Sequence, residues 1–218
     1  MEISTLLQEA LSPDQNRRNQ AEVNIEMIAS QNFAGFLISC AKELCDEGKA
    51  KGIRQIAATL IKNMISYTAK YKGFWEQLDR DSKLQVQQHV LSTLASSDKD
   101  VRKAAGIAVA GICKVELPIG EWTDIIDVLC QTSQNENKNI QLASVTTLGY
   151  ISQEISTRDL NDDSVGKVLS CIYTLLNGSN DFELLEVTLN ALLNFLTFTR
   201  RFFENKVNKV IKSFIYIL

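Results

Sequence analysis

The sequence predicts an all-α fold, a right-handed superhelical solenoid of HEAT (armadillo-like) repeats. Amphipathic helices recur in pairs along the 218 residues. Small residues recur in the second helices at Ala57, Ala104 and Ala143, roughly 40–47 residues apart, which is the period typical of such arrays. Only two prolines and ten glycines interrupt the chain, and no alternating strand pattern persists. The second helices are expected to begin near Asp14, Lys51, Asp100, Asn139 and Phe182.

Each helix is assigned from an apolar stripe with a period of 3.6 residues. Between Lys51 and Ile65 the apolar residues recur every three or four positions, so they share one face of a helix. The segments after Asp100 and Asn139 repeat this pattern. The first helices carry similar stripes, such as the one over residues 33–47. A stripe on both helices of a pair predicts that the pairs stack on a continuous core.

Prolines and short polar residues separate the helices. Pro13 ends the first helix, since proline cannot continue the hydrogen-bond ladder, and Asp14 is expected to cap the second. The connection from Tyr67 to Asp79, which holds Trp75, is expected to form a short helical turn. Pro118 ends the third pair. The predicted repeats span residues 1–30, 33–66, 78–115, 121–154 and 164–199, with a truncated sixth at 204–218.

The last predicted helix begins near Glu204 and carries an apolar stripe to Leu218. Solenoids end in a repeat with a polar outer face, so we expect this chain to be a fragment cut inside the sixth repeat. Basic residues near this end are expected to form a solvated helix face. They are Arg200, Arg201, Lys206, Lys209 and Lys212.

Composition excludes several classes of protein. The chain has 23 basic and 26 acidic residues and a pI near 5.3, which does not favour binding to nucleic acid. No apolar run approaches the ~20 residues of a membrane span, and the first residues lack a signal-peptide pattern. Five cysteines at irregular spacing form no CxxC pair, so we expect reduced thiols in a cytosolic or nuclear protein.

The residues that enzymes use are nearly absent. The single histidine, His89, lies in a polar run and is expected at the surface or an edge. The sequence has no phosphate-binding GxxxxGK[ST] or GxGxxG motif and no metal-ligand spacing. The acidic pairs Asp162/Asp163 and Glu183/Glu186 are expected to cap or begin helices. We therefore predict a protein that is not an enzyme and has no cofactor or metal.

Several segments resemble the importin-β (karyopherin-β) family, in order along the whole chain. The last two resemble the importin-β branch more than other karyopherins. The segments are Leu11-Ser12-Pro13-Asp14, Ala57-Ala58 with Ile61-Lys62-Asn63, Ala105-Gly106-Ile107-Ala108 ahead of Leu117-Pro118 and Trp122, Leu148 to Ile155, and Asn190 to Asn194.

This resemblance implies a nuclear transport receptor that moves between cytoplasm and nucleus through the nuclear pore. The family binds Ran-GTP on the concave face and phenylalanine-glycine (FG) nucleoporins on the convex face, and importin-α adaptor or cargo mainly through later repeats. Carried onto this sequence, the Ran-binding residues are Lys62 and Asn63, at the end of a second helix. The alternative for these two is a solvated lysine and a capping asparagine.

The resemblance also implies an FG-nucleoporin groove between the first helices of repeats five and six. Tyr173 stands where an aliphatic residue is expected, and Ile211 replaces an aromatic one. The alternative for this set is ordinary packing between helices. For the whole chain the alternative function is a HEAT-repeat scaffold or regulatory subunit of a multiprotein complex. The groove residues are Leu169, Ser170 and Tyr173 on one helix and Asn208, Ile211 and Lys212 on the next.

Overall fold

The structure is a computed structural model that describes residues 2–66, 71, 73–156 and 158–215, with side chains as far as Arg200. Two compact units divide the chain, residues 1–112 and 113–218, and α6 runs across the border between them. The all-α prediction agrees with the described residues, which contain no strand. The helices are α1 (Ile3–Ala10), α2 (Gln15–Gln31), α3 (Phe33–Cys45), α4 (Lys51–Ser66), α5 (Arg80–Ser92), α6 (Lys99–Glu116), α7 (Ile125–Thr132), α8 (Lys138–Glu154), α9 (Asp162–Gly178) and α10 (Phe182–Ile215).

The first unit stacks its first helices in sequence order. Helix α1 packs on α2 and α3 on α4, while α3 also contacts α1 and α5. The connection before α5 covers one end of α3, because Phe74 meets Phe33 edge to face at 5.5 Å between ring centroids. Trp75 is fully buried beside it. This connection therefore extends the core of the unit.

Short polar side chains begin most helices, as the sequence predicts at Asp14. The Asp14 carboxylate accepts a hydrogen bond from the Asn16 amide at 2.8 Å, and Asp79 accepts one from Ser82 at 2.8 Å. Such caps satisfy amide groups that have no partner within the helix. Equivalent caps occur at Asn32, Asn137, Asn161 and Asp181.

The second unit repeats the pairing of the first. Helix α7 packs on α8 and α9 on α10; the first helices α7 and α9 are in contact, and so are the second helices α8 and α10. Trp122 corrects one detail of the predicted fourth repeat. The fourth repeat was expected to begin near residue 121, but α7 begins at Ile125. The backbone of Trp122 has a φ of 49°, a left-handed conformation that cannot continue into a right-handed helix.

Helix α10 corrects the predicted boundary between repeats five and six. A helix ending near Thr199 and a new one near Glu204 were expected, but the structure has one helix from Phe182 to Ile215. Residues 199–204 contain neither proline nor glycine, so nothing in the local sequence breaks the hydrogen-bond ladder. The predicted break followed from the apolar stripe that begins at Val207, and not from a helix-ending residue.

Second helices approach each other closely at glycines. In the first unit, a Cβ placed on Gly111 would lie 2.9 Å from the Lys62 side chain, and the Ser66 hydroxyl donates to the Gly111 carbonyl at 2.9 Å. In the second unit, a Cβ on Gly149 would lie 3.1 Å from the Ala191 backbone. Among the predicted small residues, Ala57 and Ala143 are buried, whereas Ala104 is only half-buried. The closest approaches between second helices are therefore at glycines, and not at the alanines that the sequence pattern predicted.

Lysines at the starts of second helices reach the next second helix of the same unit. Lys51 pairs with Asp98 at 3.7 Å and with Asp100. Lys138 repeats this arrangement with Asp181 at 2.7 Å. These pairs are solvent-exposed, so they contribute little free energy and serve mainly to fix the register of neighbouring helices.

We predict that Gly149→Ala destabilises the protein, although alanine favours helices. Its Cβ would press on the Ala191 backbone, which cannot move without shifting α10, and such overpacking costs about 1–3 kcal/mol. Gly166→Ala is the matched control, because its Cβ meets open space and the change should add about 0.5–1 kcal/mol. Urea unfolding followed by circular dichroism measures both. Equal effects of the two substitutions would contradict the close crossing.

A second prediction concerns the buried guanidinium of Arg54, which is 3% exposed. It donates to the Leu44 carbonyl at 2.8 Å and to Glu47 at 2.7 Å. The hydrogen bond from Arg54, followed by one from Ser96, lowers the pKa of Glu47 from 4.5 to about 2. A lowered carboxyl pKa stabilises the fold above about pH 4.5, and this stabilisation is lost as the pH falls towards 2.

Arg54→Met should therefore lower the free energy of unfolding at neutral pH by about 1–3 kcal/mol, because the turn carbonyl loses a charged donor. It should also flatten the acid dependence between pH 4.5 and 2, an effect kept small by the solvent exposure of Glu47. The control is Arg17→Met, since Arg17 forms an exposed pair with Glu9. Urea titrations at several pH values test this; an acid slope that Arg54→Met leaves unchanged would disprove the linkage.

Candidate functional site

A shallow groove of about 490 Å³ opens between α9 and α10. Its walls include all three residues that the sequence placed on the first helix of repeat five: Leu169, Ser170 and Tyr173. Leu176 extends the α9 wall and Leu192 supplies the wall from α10. Residues 169, 173 and 176 recur every three or four positions, so they share one face of α9.

One wall of the groove is fixed in place because the opposite face of α9 packs into the core. Asn161 caps the helix by accepting from the Ser164 amide at 2.8 Å. The Tyr173 ring is 70% exposed, so an aromatic surface faces solvent at the mouth of the groove. The buried residues of α9 are Val165, Val168, Cys171, Ile172 and Leu175, of which Ile172 also reaches the groove.

The second wall differs from the sequence prediction. The groove was expected between the first helices of repeats five and six, but Leu192 belongs to the second helix of pair five. Helix α10 continues through Glu204 to Ile215, so the described residues contain no separate sixth helix. The side chains of Asn208, Ile211 and Lys212 lie outside the described residues, and their part in the groove stays a prediction.

An exposed leucine stripe lies on α10 and was not singled out from the sequence. Leu189, Leu193 and Leu196 follow the spacing i, i+4 and i+7, and each is at least half exposed. The periodicity was visible in the sequence, but the stripe could not be distinguished from the buried one at Leu184, Ala191 and Phe198. The rotation of α10 about its axis decides which stripe is exposed.

Lys62 and Asn63 lie in the last turns of α4, three to four residues before Ser66. Lys62 is half-buried, because its stem packs over Gly111, and Asn63 is exposed. Asn63 is inside the helix, so the alternative of a capping asparagine is wrong. The structure leaves the side chain of Asn63 exposed to solvent.

Two polar side chains meet that the sequence did not connect. The His89 Nδ1 lies 3.4 Å from the Cys45 thiol, and His89 is half-buried. Burial, with the nearby charge of Lys42, lowers the pKa of His89, and burial raises the pKa of Cys45. Both shifts favour the neutral forms, whereas nucleophilic cysteines are activated by a lowered pKa.

Other chemical features are sparse in the described part of the chain. Histidine, cysteine and carboxylate side chains form no group of three or more suited to a metal ion there. None of the helices searched among those residues combines the length and apolar character needed to cross a membrane. Asp162, Asp163 and Glu183 lie in first helical turns, as predicted.

The helix pairs and their glycine crossings correspond to a known repeat family. A family model described as Maestro, HEAT repeats, matches residues 20–215. The chain belongs to this HEAT-repeat family. The predicted HEAT fold is thereby confirmed.

Curated relatives indicate which kind of HEAT-repeat protein this chain resembles. Importin subunit beta-1 of Arabidopsis thaliana is 30% identical over 217 residues, covering 96% of this chain and 25% of the relative. Importin subunit beta-1 of Schizosaccharomyces pombe is 27% identical over 215 residues with the same coverage. The resemblance to the importin-β family is confirmed by these relatives, and the chain spans about a quarter of their length.

Solved structures share this HEAT-repeat fold. One reports that Kap95p binding induces the switch loops of RanGDP to adopt the GTP-bound conformation. It matches with a TM-score of 0.84 and 25% identity, covering 95% of this chain and 25% of that chain. The Kap95:Nup1 complex matches with a TM-score of 0.81 and 24% identity, over 97% of this chain and 26% of that chain. At this identity the second structure shows the fold alone.

Proposed function

We propose that the chain is part of a karyopherin-type nuclear transport receptor that binds Ran-GTP and FG nucleoporins and passes between cytoplasm and nucleus. The observation that carries the proposal is the groove, because three residues chosen by family resemblance line one exposed apolar cavity. The importin-β relatives support the same function. Importin-α adaptor or cargo would bind mainly through repeats that this chain does not include.

The groove suits a single phenylalanine ring. Its apolar walls, Leu169, Leu176 and Leu192, surround a space of a size that accepts one aromatic side chain. Tyr173 stands at the mouth, where ring contacts add about 0.5–1.5 kcal/mol beyond area burial. An open groove of this kind binds weakly and releases quickly, as a receptor moving among many FG repeats requires.

Lys62 and Asn63 suit a polar protein partner. The Lys62 stem is fixed against Gly111, so its ammonium group is positioned at lower entropic cost than that of a free surface lysine. The exposed amide of Asn63 both donates and accepts hydrogen bonds. The Ran-bound Kap95p structure supports this choice of partner, since it shares the fold at 25% identity.

We predict that a peptide with two FG motifs binds the groove and that Tyr173→Ala weakens this binding about tenfold. Tyr173 is exposed, so its removal takes away a wall of the groove with little effect on folding. Chemical-shift changes of the ¹⁵N-labelled chain, titrated with the peptide, measure the affinity. The perturbed amides should cluster on residues 169–176 and around Leu192.

Leu84→Ala is the control for this titration, because Leu84 is an exposed leucine on α5 in the other unit. It should bind the peptide as the unchanged protein does. A peptide with serine in place of phenylalanine should not bind. Equal binding of the two peptides, or binding that Tyr173→Ala leaves unaltered, would exclude this groove as the FG site.

We also predict that the immobilised chain retains Ran with a bound GTP analogue more strongly than Ran-GDP. In the reported Kap95p structure, the switch loops of RanGDP adopt the GTP-bound conformation. Bringing Ran-GDP into that conformation costs free energy, which lowers its affinity. The double variant Lys62→Met with Asn63→Ala should weaken retention. Methionine keeps the apolar stem over Gly111 while removing the charge.

Lys51→Met is the matched control, since it removes the same charge from the other end of α4. It should retain Ran-GTP unchanged. The alternative, a HEAT-repeat scaffold or regulatory subunit, predicts that neither Ran nor the FG peptide binds. Absence of both binding activities in the unchanged chain would support that alternative. Equal retention of Ran-GTP and Ran-GDP would reject the assignment of Ran as the partner.

A further inference from the structure

Helix α10 is apolar on two opposite faces. One face lies in the core of the second unit, where α10 packs on α8 and α9. The other face carries the exposed leucine stripe, and Phe182, which is 87% exposed, extends it to the first residue of the helix. Because a helix turns 100° per residue, Leu193 of the stripe lies on the side opposite the buried Ala191. Packing into the core requires only one apolar face, so the second face indicates a further partner.

Exposed apolar side chains are more scattered elsewhere. Where side chains are described, helices other than α10 expose at most two large apolar residues each. Helix α2 exposes Val23 and Met27, and α5 exposes Leu84. Single exposed residues need no partner, whereas four on one helix face are typical of a protein–protein interface.

The exposed face has the spacing of a seam between two helices. Its positions alternate by four and by three residues, as in helices that pack side by side. Glu186 and Arg200 lie on the same face and are exposed, so an acidic residue stands near its start and a basic one at its end. From Glu186 to Arg200 the seam is about 21 Å long. The positions of the seam are Phe182, Glu186, Leu189, Leu193, Leu196 and Arg200.

The order of charges along this seam is self-complementary. Leu193 is seven residues from Glu186 on one side and seven from Arg200 on the other. When two copies of α10 lie antiparallel about a twofold axis at Leu193, Glu186 of each copy therefore faces Arg200 of the other. A parallel arrangement would place like charges against each other, which is unfavourable. The charges thus favour an antiparallel pair of identical helices.

We propose that the exposed seam of α10 binds a second copy of this chain and forms an antiparallel, twofold-symmetric dimer. Leu193 meets Leu193 of the other copy on the axis. Leu189 lies within one residue of the position opposite Leu196, so these leucines pack together. A twofold interface uses the same surface on both copies, so the assembly closes at two chains.

This interface is separate from the proposed FG groove. Leu192, which supplies the α10 wall of the groove, lies 100° around the helix from Leu193. The dimer therefore rests on neither FG nor Ran binding. A seam of about 21 Å is a small interface, so the dimer should be in equilibrium with the monomer.

The test is sedimentation velocity of the full chain over a range of concentrations. We expect one monomer–dimer equilibrium and no larger species. Leu193→Arg should weaken the dimer at least about tenfold, because two guanidinium groups would meet on the axis. Leu84→Arg is the matched control at an exposed leucine of α5 and should leave the dimer unchanged. Circular dichroism should show the same helical content in both variants.

Charge reversal tests the orientation of the two helices. Glu186→Arg and Arg200→Glu should each weaken the dimer, because like charges then meet at both ends of the seam. The double variant should restore the association. A double variant as weak as the single ones, or a dimer that Leu193→Arg leaves intact, would overturn the proposal. So would a chain that stays monomeric, and the seam would then be left for another partner, such as a further helix pair.

Discussion

The close crossing of second helices at glycine is the constraint on which the rest of this structure depends. A helix pair buries its apolar stripes fully only when the next second helix approaches within side-chain distance of its backbone. Gly149 provides that approach to Ala191 in the second unit, and Gly111 provides it to Lys62 in the first. The crossing at Gly149 sets the position of α10, and α10 supplies the Leu192 wall of the groove. A binding surface thus follows from a packing requirement.

Buried and half-buried arginines bind the turns between paired helices in the first unit. Arg18 and Arg102 each donate to carbonyls of the turn before their helix, Ser12 and Ser96, at 2.7 Å. Arg54 plays the same part with Leu44. Each carbonyl would otherwise lack a partner at the end of a first helix. These contacts tie each turn to the helix that follows it.

Helix α9 shows how one element serves two surfaces. Leu169 and Tyr173 line the groove towards α10, while the Cys171 sulfur lies 3.0 Å from the hydroxyl of Ser133, the residue that follows α7. A helix turns 100° per residue, so adjacent positions in the sequence reach opposite neighbours. Both surfaces stay intact only while Val168 and Ile172 anchor the helix in the core. The groove and the contact between Ser133 and Cys171 therefore depend on the same buried stripe.

The sequence by itself determined the paired helices and the starting points of the second helices, because helical periodicity and capping are local properties. Its short motifs indicated the family. It also selected Leu169, Ser170 and Tyr173 for one groove, since residues three and four apart share a face. Only the tertiary structure decided that α10 continues past Thr199, that Leu192 is the opposite wall, and which leucine stripe is exposed. It alone brought Ser133 to Cys171. These facts depend on how helices rotate and cross over distances of about 40 residues, and no local pattern encodes that geometry.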